Sequence, residues 1–248
     1  VGSEMCIRDG EAVGDRASVV AGVGSNDTAH TLHLAELAEG VGVDGLLVVT
    51  PYYNKPTQAG LRAHFRTVAD AVHTPVMLYD IPGRAGIPIA PDTYRALAEH
   101  PNIMAVKDAK ADFAAATEVM ATTDLQYYSG DDGLTLPWMA LGAVGLVGVT
   151  THVLPEAFRA LIDAIVAGDL ATARNLHRQL HPVVTATMTR VPGAVAAKTI
   201  LAWQGRLASA AVRLPHVGPT EEEAARMRAD LADSCLLYTS DAADDSLR

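Results

Sequence analysis

The stretch "GLLVVTPYYNKPTQAGLRAHFRTVADAVHTPVMLYDIP" (45–82) decides how the rest of the chain is read. It opens on an apolar run that ends at Thr50, Tyr52 and Tyr53. A Pro-bracketed loop, "TPYYNKP" (50–56), leads into a helical stretch at about 57–72. A second apolar run, "PVMLYDIP" (75–82), follows. Two continuous apolar runs joined by one helix predict a β/α/β unit whose parallel strands are covered on both faces. The rhythm extends both ways, through "SVVAGVG" (18–24), "IMAVKDA" (103–109), "LQYYSGDD" (125–132) and "GLVGVTT" (145–151). Successive runs start 27, 30, 28, 22 and 20 residues apart, which is one β/α unit each. Helices are expected at about 27–40, 57–72, 90–99, 111–121, 133–142 and 154–167. Asp27, Pro91 and Asp92 read as helix-start residues.

Six such units fit a doubly wound sheet or a (β/α)8 barrel short of two units. Polar residues gather at the C-terminal ends of the runs, where barrel sites are built. No G-x-G-x-x-G opens a helix, and "GVGSN" (22–26) has the wrong spacing for a dinucleotide fingerprint. The expected fold is therefore α/β: a TIM (β/α)8 barrel lacking about its first two β/α units, with a C-terminal helical extension. The extension's helices are expected at about 169–188, 194–208 and 220–233. The two ends differ in texture from the Ala/Val/Gly/Arg-rich middle. Residues 1–10 and 235–248 read as adapter-like, non-native ends, 11–168 as a partial barrel holding strands 3 to 8, and 169–234 as the extension.

Bulk properties exclude several functions. With 49% hydrophobic residues in 248, the chain has ample core. A net charge of −10 disfavours nucleic acid and anionic membranes as partners. No apolar run approaches a membrane span and no signal peptide is evident, so a cytoplasmic protein is expected. Both cysteines, Cys6 and Cys235, lie in the odd ends, which leaves no disulfide, thiol nucleophile or Cys-based metal site in the expected native part. His177 and His181 share a helix face without a nearby third ligand. Neither a metal nor a cofactor is expected.

The strand ends carry the chemistry. Lys107 closes the run Ile103–Val106. It is either a surface lysine past a strand or a desolvated amine. Burial disfavours the charged form, and a free amine can attack a ketone to form a Schiff base. Tyr79, one strand earlier, is either a core tyrosine or a phenol placed to shuttle protons during imine formation. Arg84, in "IPGRAG", is either a surface arginine or a bidentate carboxylate ligand. Together the three make an unusual set on two successive strands. The adjacent Tyr52 and Tyr53 cannot both point inward: either one faces the mouth and the other a neighbouring subunit, or the two pack as a pair at the barrel rim. The carboxylates of "SGDD" (129–132) are expected to cap the next helix. Lys110, three residues past Lys107, reads as solvated and replaceable.

"VVTPYYNKP", "LYDIPGRAG", "VKDA", "YYSGDD" and "GLVGVT" resemble the dihydrodipicolinate synthase (4-hydroxy-tetrahydrodipicolinate synthase) family, within the pyruvate-dependent class I aldolase superfamily. The likeness covers roughly residues 11–233 and looks closest to actinobacterial members. It implies a lyase of lysine and diaminopimelate biosynthesis that condenses pyruvate with aspartate semialdehyde. Lys107 would form the Schiff base, Tyr79 would relay protons, and Tyr53 would complete a neighbour's relay across a tight dimer interface. Arg84 would bind the semialdehyde carboxylate, while Gly130 and Val147 would shape the pyruvate pocket. A homotetramer built as a dimer of dimers is implied for the intact protein. Lyases of 2-keto sugar acids, or a non-catalytic barrel fragment, are the alternatives.

Two departures stand out. The family's "GTTGE" motif, whose threonines bind the pyruvate carboxylate, is absent from these 248 residues, so the chain as written is expected to be inactive. His30 stands where lysine-inhibited members carry an acidic residue, beside Asn26 and Tyr52 at matching positions. Weak or no inhibition by lysine is expected.

Overall fold

The computed structural model describes residues 3–234. They form two compact units: one runs to Gly130 and includes Leu141–Val144, and the other comprises Asp131–Ala140 and the chain from Gly145 onward. The stretch 235–248, expected to be non-native, lies outside the described residues.

The first unit begins with α1 (Ser3–Val13) and continues as β1 (Val20–Gly22), α2 (Thr28–Gly40), β2 (Gly45–Val49), α3 (Gln58–Ala71) and β3 (Val76–Asp80). Then come a single turn, α4 (Pro82–Ala85), and α5 (Pro91–Ala98), β4 (Ile103–Asp108), α6 (Phe113–Met120) and β5 (Gln126–Ser129). Each strand pairs in parallel with the next in sequence. Leu46, Val48, Leu78 and Val106 are fully buried, as are Leu61, Phe65 and Val68 of α3. Such burial explains the continuous apolar runs, since a parallel sheet is covered by its crossover helices. The start signals act as expected. The Asp27 carboxylate accepts from His30 N at 2.7 Å, and Pro91 occupies the first turn of α5, where a missing N–H costs nothing.

One irregularity matters for the site. Val76 pairs with Ile103, but Met77 pairs with Ala105, so the register between β3 and β4 skips Met104. Residues opposite one another in adjacent strands share a face, and a one-residue slip reverses the face. The skip therefore sets Tyr79 opposite Lys107 and Asp80 opposite Asp108. In-phase continuation from Val76–Ile103 would have set Tyr79 beside Val106 instead.

The second unit holds α7 (Thr135–Ala140), β6 (Gly145–Leu146), α8 (Pro155–Val166), α9 (Leu170–Met188), α10 (Gly193–Trp203) and α11 (Glu221–Ala232). Its core joins Val183 and Ala186 of α9, Ala196 and Ile200 of α10, and Met227 and Leu231 of α11. A reciprocal Thr220–Glu223 capping box starts α11. Two expectations are corrected here. The run 145–151 yields only a two-residue strand, because the backbone N–H groups of Val149 and Thr150 turn to the buried Asp132 carboxylate at 3.1 and 2.8 Å. The helix expected at 194–208 ends at Trp203, followed by Gly205 at φ +69°. Among the described residues no helix is long and apolar enough to cross a membrane.

Candidate active site

β3 and β4 deliver two side chains to the same face at the same level. Lys107 Nζ lies 4.2 Å from the centroid of the Tyr79 ring. Both residues are half-buried. The position of Tyr79 is fixed through its own carbonyl, which accepts both the backbone N–H of Thr50 (2.9 Å) and its hydroxyl (3.0 Å). Thr50 is fully buried. Burial pushes the Tyr79 phenol up from its usual range, and the Arg84 guanidinium pulls the other way. The phenol thus keeps its proton through neutral pH while standing beside an amine.

Arg84 is exposed, on the one-turn helix α4 rather than in an open loop. That turn closes on Gly86 at φ +85°, whose N–H returns to Pro82 O at 2.8 Å. The positive φ is what calls for glycine at 86, since a Cβ there would meet only the flexible Lys55 side chain, 2.8 Å from its Cε. Tyr53 is 87% exposed at φ +75° and Tyr52 is 42% exposed. Lys55 also has positive φ, at 45°. The loop "TPYYNKP" therefore holds two non-glycine residues in left-handed backbone while presenting a phenol to solvent. Such strain persists only where the surroundings over-determine it.

Gly130 follows β5, and its N–H donates to Asp108 O at 2.7 Å. A Cβ there would meet that oxygen at 2.8 Å, so only glycine lets the chain pass the end of β4 so closely. Lys107, Tyr79, Arg84, Tyr53 and Gly130 all belong to the first unit. Val147 belongs to the second, where it is half-buried after β6.

On the opposite face of the same strand ends lies a buried polar cluster. Asp80 Oδ2 accepts from Tyr94 OH at 2.9 Å and from Ile89 N at 3.2 Å, and pairs with Lys110 Nζ at 3.2 Å. The Lys110 side chain is 12% exposed. The expectation that Lys110 is solvated is thus corrected, because a buried carboxylate draws its amine inward. Desolvation pushes Asp80 and Asp108 up from the ordinary carboxylate range, and the Lys110 charge opposes this in both. "SGDD" divides its work. Asp131 caps the following turn through Gly133 N at 2.9 Å, as expected of a cap, whereas Asp132 holds the backbone of 149–150. Thr50 and Lys110 are the residues whose roles sequence reasoning missed. A threonine ending a β-branched strand and a lysine following a strand-end aspartate are the only local hints of them. Among the described residues no group of three or more potential metal ligands occurs.

Parallel β/α units that bring an amine and a phenol together at their strand ends define an α/β enzyme of the barrel type. The chain belongs to the dihydrodipicolinate synthetase family, whose model matches residues 4–234. It is 59% identical over 222 residues to the 4-hydroxy-tetrahydrodipicolinate synthase of Acidothermus cellulolyticus, covering 90% of this chain and 71% of the relative. The corresponding synthase of Kineococcus radiotolerans is 55% identical, with 90% and 72% covered. Among solved structures, that of the Cyanidioschyzon merolae enzyme with lysine bound superimposes with a TM-score of 0.90 at 34% identity, over 94% of this chain and 80% of that one.

Proposed function

We propose that this protein condenses pyruvate with L-aspartate 4-semialdehyde to 4-hydroxy-tetrahydrodipicolinate, through a Schiff base on Lys107. The observation that carries the reading is the Tyr79–Lys107 juxtaposition across β3 and β4, in a chain of this family. The Lys107 amine adds to the pyruvate ketone, and Tyr79 passes the proton that lets the carbinolamine lose water. The iminium withdraws electrons, so the methyl carbon gives up a proton and becomes an enamine. The enamine attacks the aldehyde, and the product nitrogen displaces Lys107 from the imine as the ring closes. Arg84 at the exposed rim binds the semialdehyde carboxylate. Gly130 and Val147 border the pyruvate pocket, and Tyr53 reaches a neighbouring subunit's relay. The six strands read as strands 3 to 8 of a (β/α)8 barrel, in a cytoplasmic enzyme assembled as a dimer of dimers.

Borohydride reduction in the presence of pyruvate tests this directly. Peptide mapping is expected to find the stable adduct on Lys107 and to lose it in Lys107→Arg. An adduct elsewhere, or none, would sink the reading. Imine formation precedes condensation and does not need the semialdehyde, so it reads the Lys107 chemistry apart from the later steps.

A further inference from the structure

Resting on that reading, the geometry points to Lys110 as a positioning residue for the Lys107–Tyr79 pair. The register skip at Met104 creates the need. Upstream of it β3 and β4 pair in one phase, downstream in the other. Only the downstream phase sets Lys107 on the face of Tyr79, and a slip back by one residue would turn the amine to the opposite face. Something must hold the short downstream segment, and Lys110 bolts it from behind.

The bolt has four attachments, three of them made by the side chain. Asp80, the residue after Tyr79, receives the Lys110 ammonium at 3.2 Å. Asp108, the residue after Lys107, accepts the backbone N–H groups of Lys110 and Ala111 at 2.7 and 3.0 Å through one oxygen. Lys110 Nζ also donates to Ile89 O at 3.1 Å and sits 5.4 Å from the centre of the Tyr94 ring, whose hydroxyl holds Asp80. The turn is tight enough to hold Ala111 at φ +60°. The Lys110 side chain thus ties Asp80, at the end of β3, to the turn that follows β4, and the backbone of that turn is held by Asp108.

The test is the rate of borohydride-trappable imine formation as a function of pyruvate. In Lys110→Met the limiting rate is expected to fall about tenfold or more, since small misplacements of reacting groups cost that much. The half-saturating pyruvate concentration should stay unchanged, and Lys110→Arg should recover part of the rate. K110M also strands the Asp80 carboxylate, which destabilises the fold, so Asp80→Asn/Lys110→Met is measured beside it, with its fold checked by circular dichroism. If Lys110 served only to neutralise Asp80, the double variant would trap at the unchanged chain's rate. That result would overturn the positioning role alone, whereas persistent slowing in the folded double variant supports it. Absence of any adduct in the unchanged chain would overturn both this inference and the functional reading.

Discussion

The hydroxyl of Tyr79 is the atom on which the proposed chemistry depends most sharply. Burial keeps it protonated, and its ring lies beneath the Lys107 amine. Tyr79→Phe leaves that ring in place and removes only the proton carrier. Imine formation is expected to slow by roughly a hundredfold or more, the usual loss when a positioned acid–base group goes. Stopped-flow trapping measures it, and a rate within twofold of the unchanged chain would assign proton transfer to another group. Residue types told part of this in advance. A lysine, a tyrosine and an arginine on two successive strand ends were readable as a set. Thr50 was not, because nothing local says that a threonine hydroxyl will donate to a carbonyl 29 residues away.

At the level of elements, close approach of the backbone governs the end of β4. Gly130 passes Asp108 O so closely that a methyl group would stand 2.8 Å from it and 3.0 Å from Ala109 Cβ. Gly130→Ala must push β5 away from the segment that follows Lys107. A loss of about 1–3 kcal/mol is expected, the range for overpacking a well-filled site, and urea unfolding checks it. A midpoint equal to that of the unchanged chain would mean that the strand end yields freely. Element positions were legible because an apolar run or an amphipathic stretch is written locally. The trimmed ends of β5 and β6 were not. There the carboxylates of Asp131 and Asp132 compete for backbone N–H groups and draw the chain out of the strand.

For the molecule as a whole, pH dependence follows from groups that the fold desolvates. His64 of α3 is buried, with Thr28 Oγ1 on its Nδ1 at 2.9 Å, and burial lowers its pKa from 6.5 to about 4. The fold thus favours the neutral ring. Its contribution is complete above about pH 6.5 and is lost as pH falls towards 4, because the unfolded chain takes up the proton first. The loss amounts to roughly 3 kcal/mol across that window. Asp80 and Asp108 have raised values and act with the opposite sign, contributing at acid pH and less as pH rises through their folded-state values. Urea unfolding from pH 7 to 4 in the unchanged chain and in His64→Leu isolates the histidine. The difference between the two is expected to shrink as the solution is acidified, and a constant difference would contradict it.

By itself the sequence determined the β/α rhythm, the parallel sheet, the helix starts at Asp27 and Pro91 and the family of the chain. Each of these is encoded in contiguous residues, whose periodicity and capping chemistry act over a few positions. The tertiary structure alone decided which face Lys107 occupies and whether Lys110 meets water. The first depends on how β4 registers against β3, and the skip at Met104 is a property of the pair rather than of either strand. The second depends on Asp80, a carboxylate thirty residues earlier that desolvation would leave uncompensated without a cation beside it.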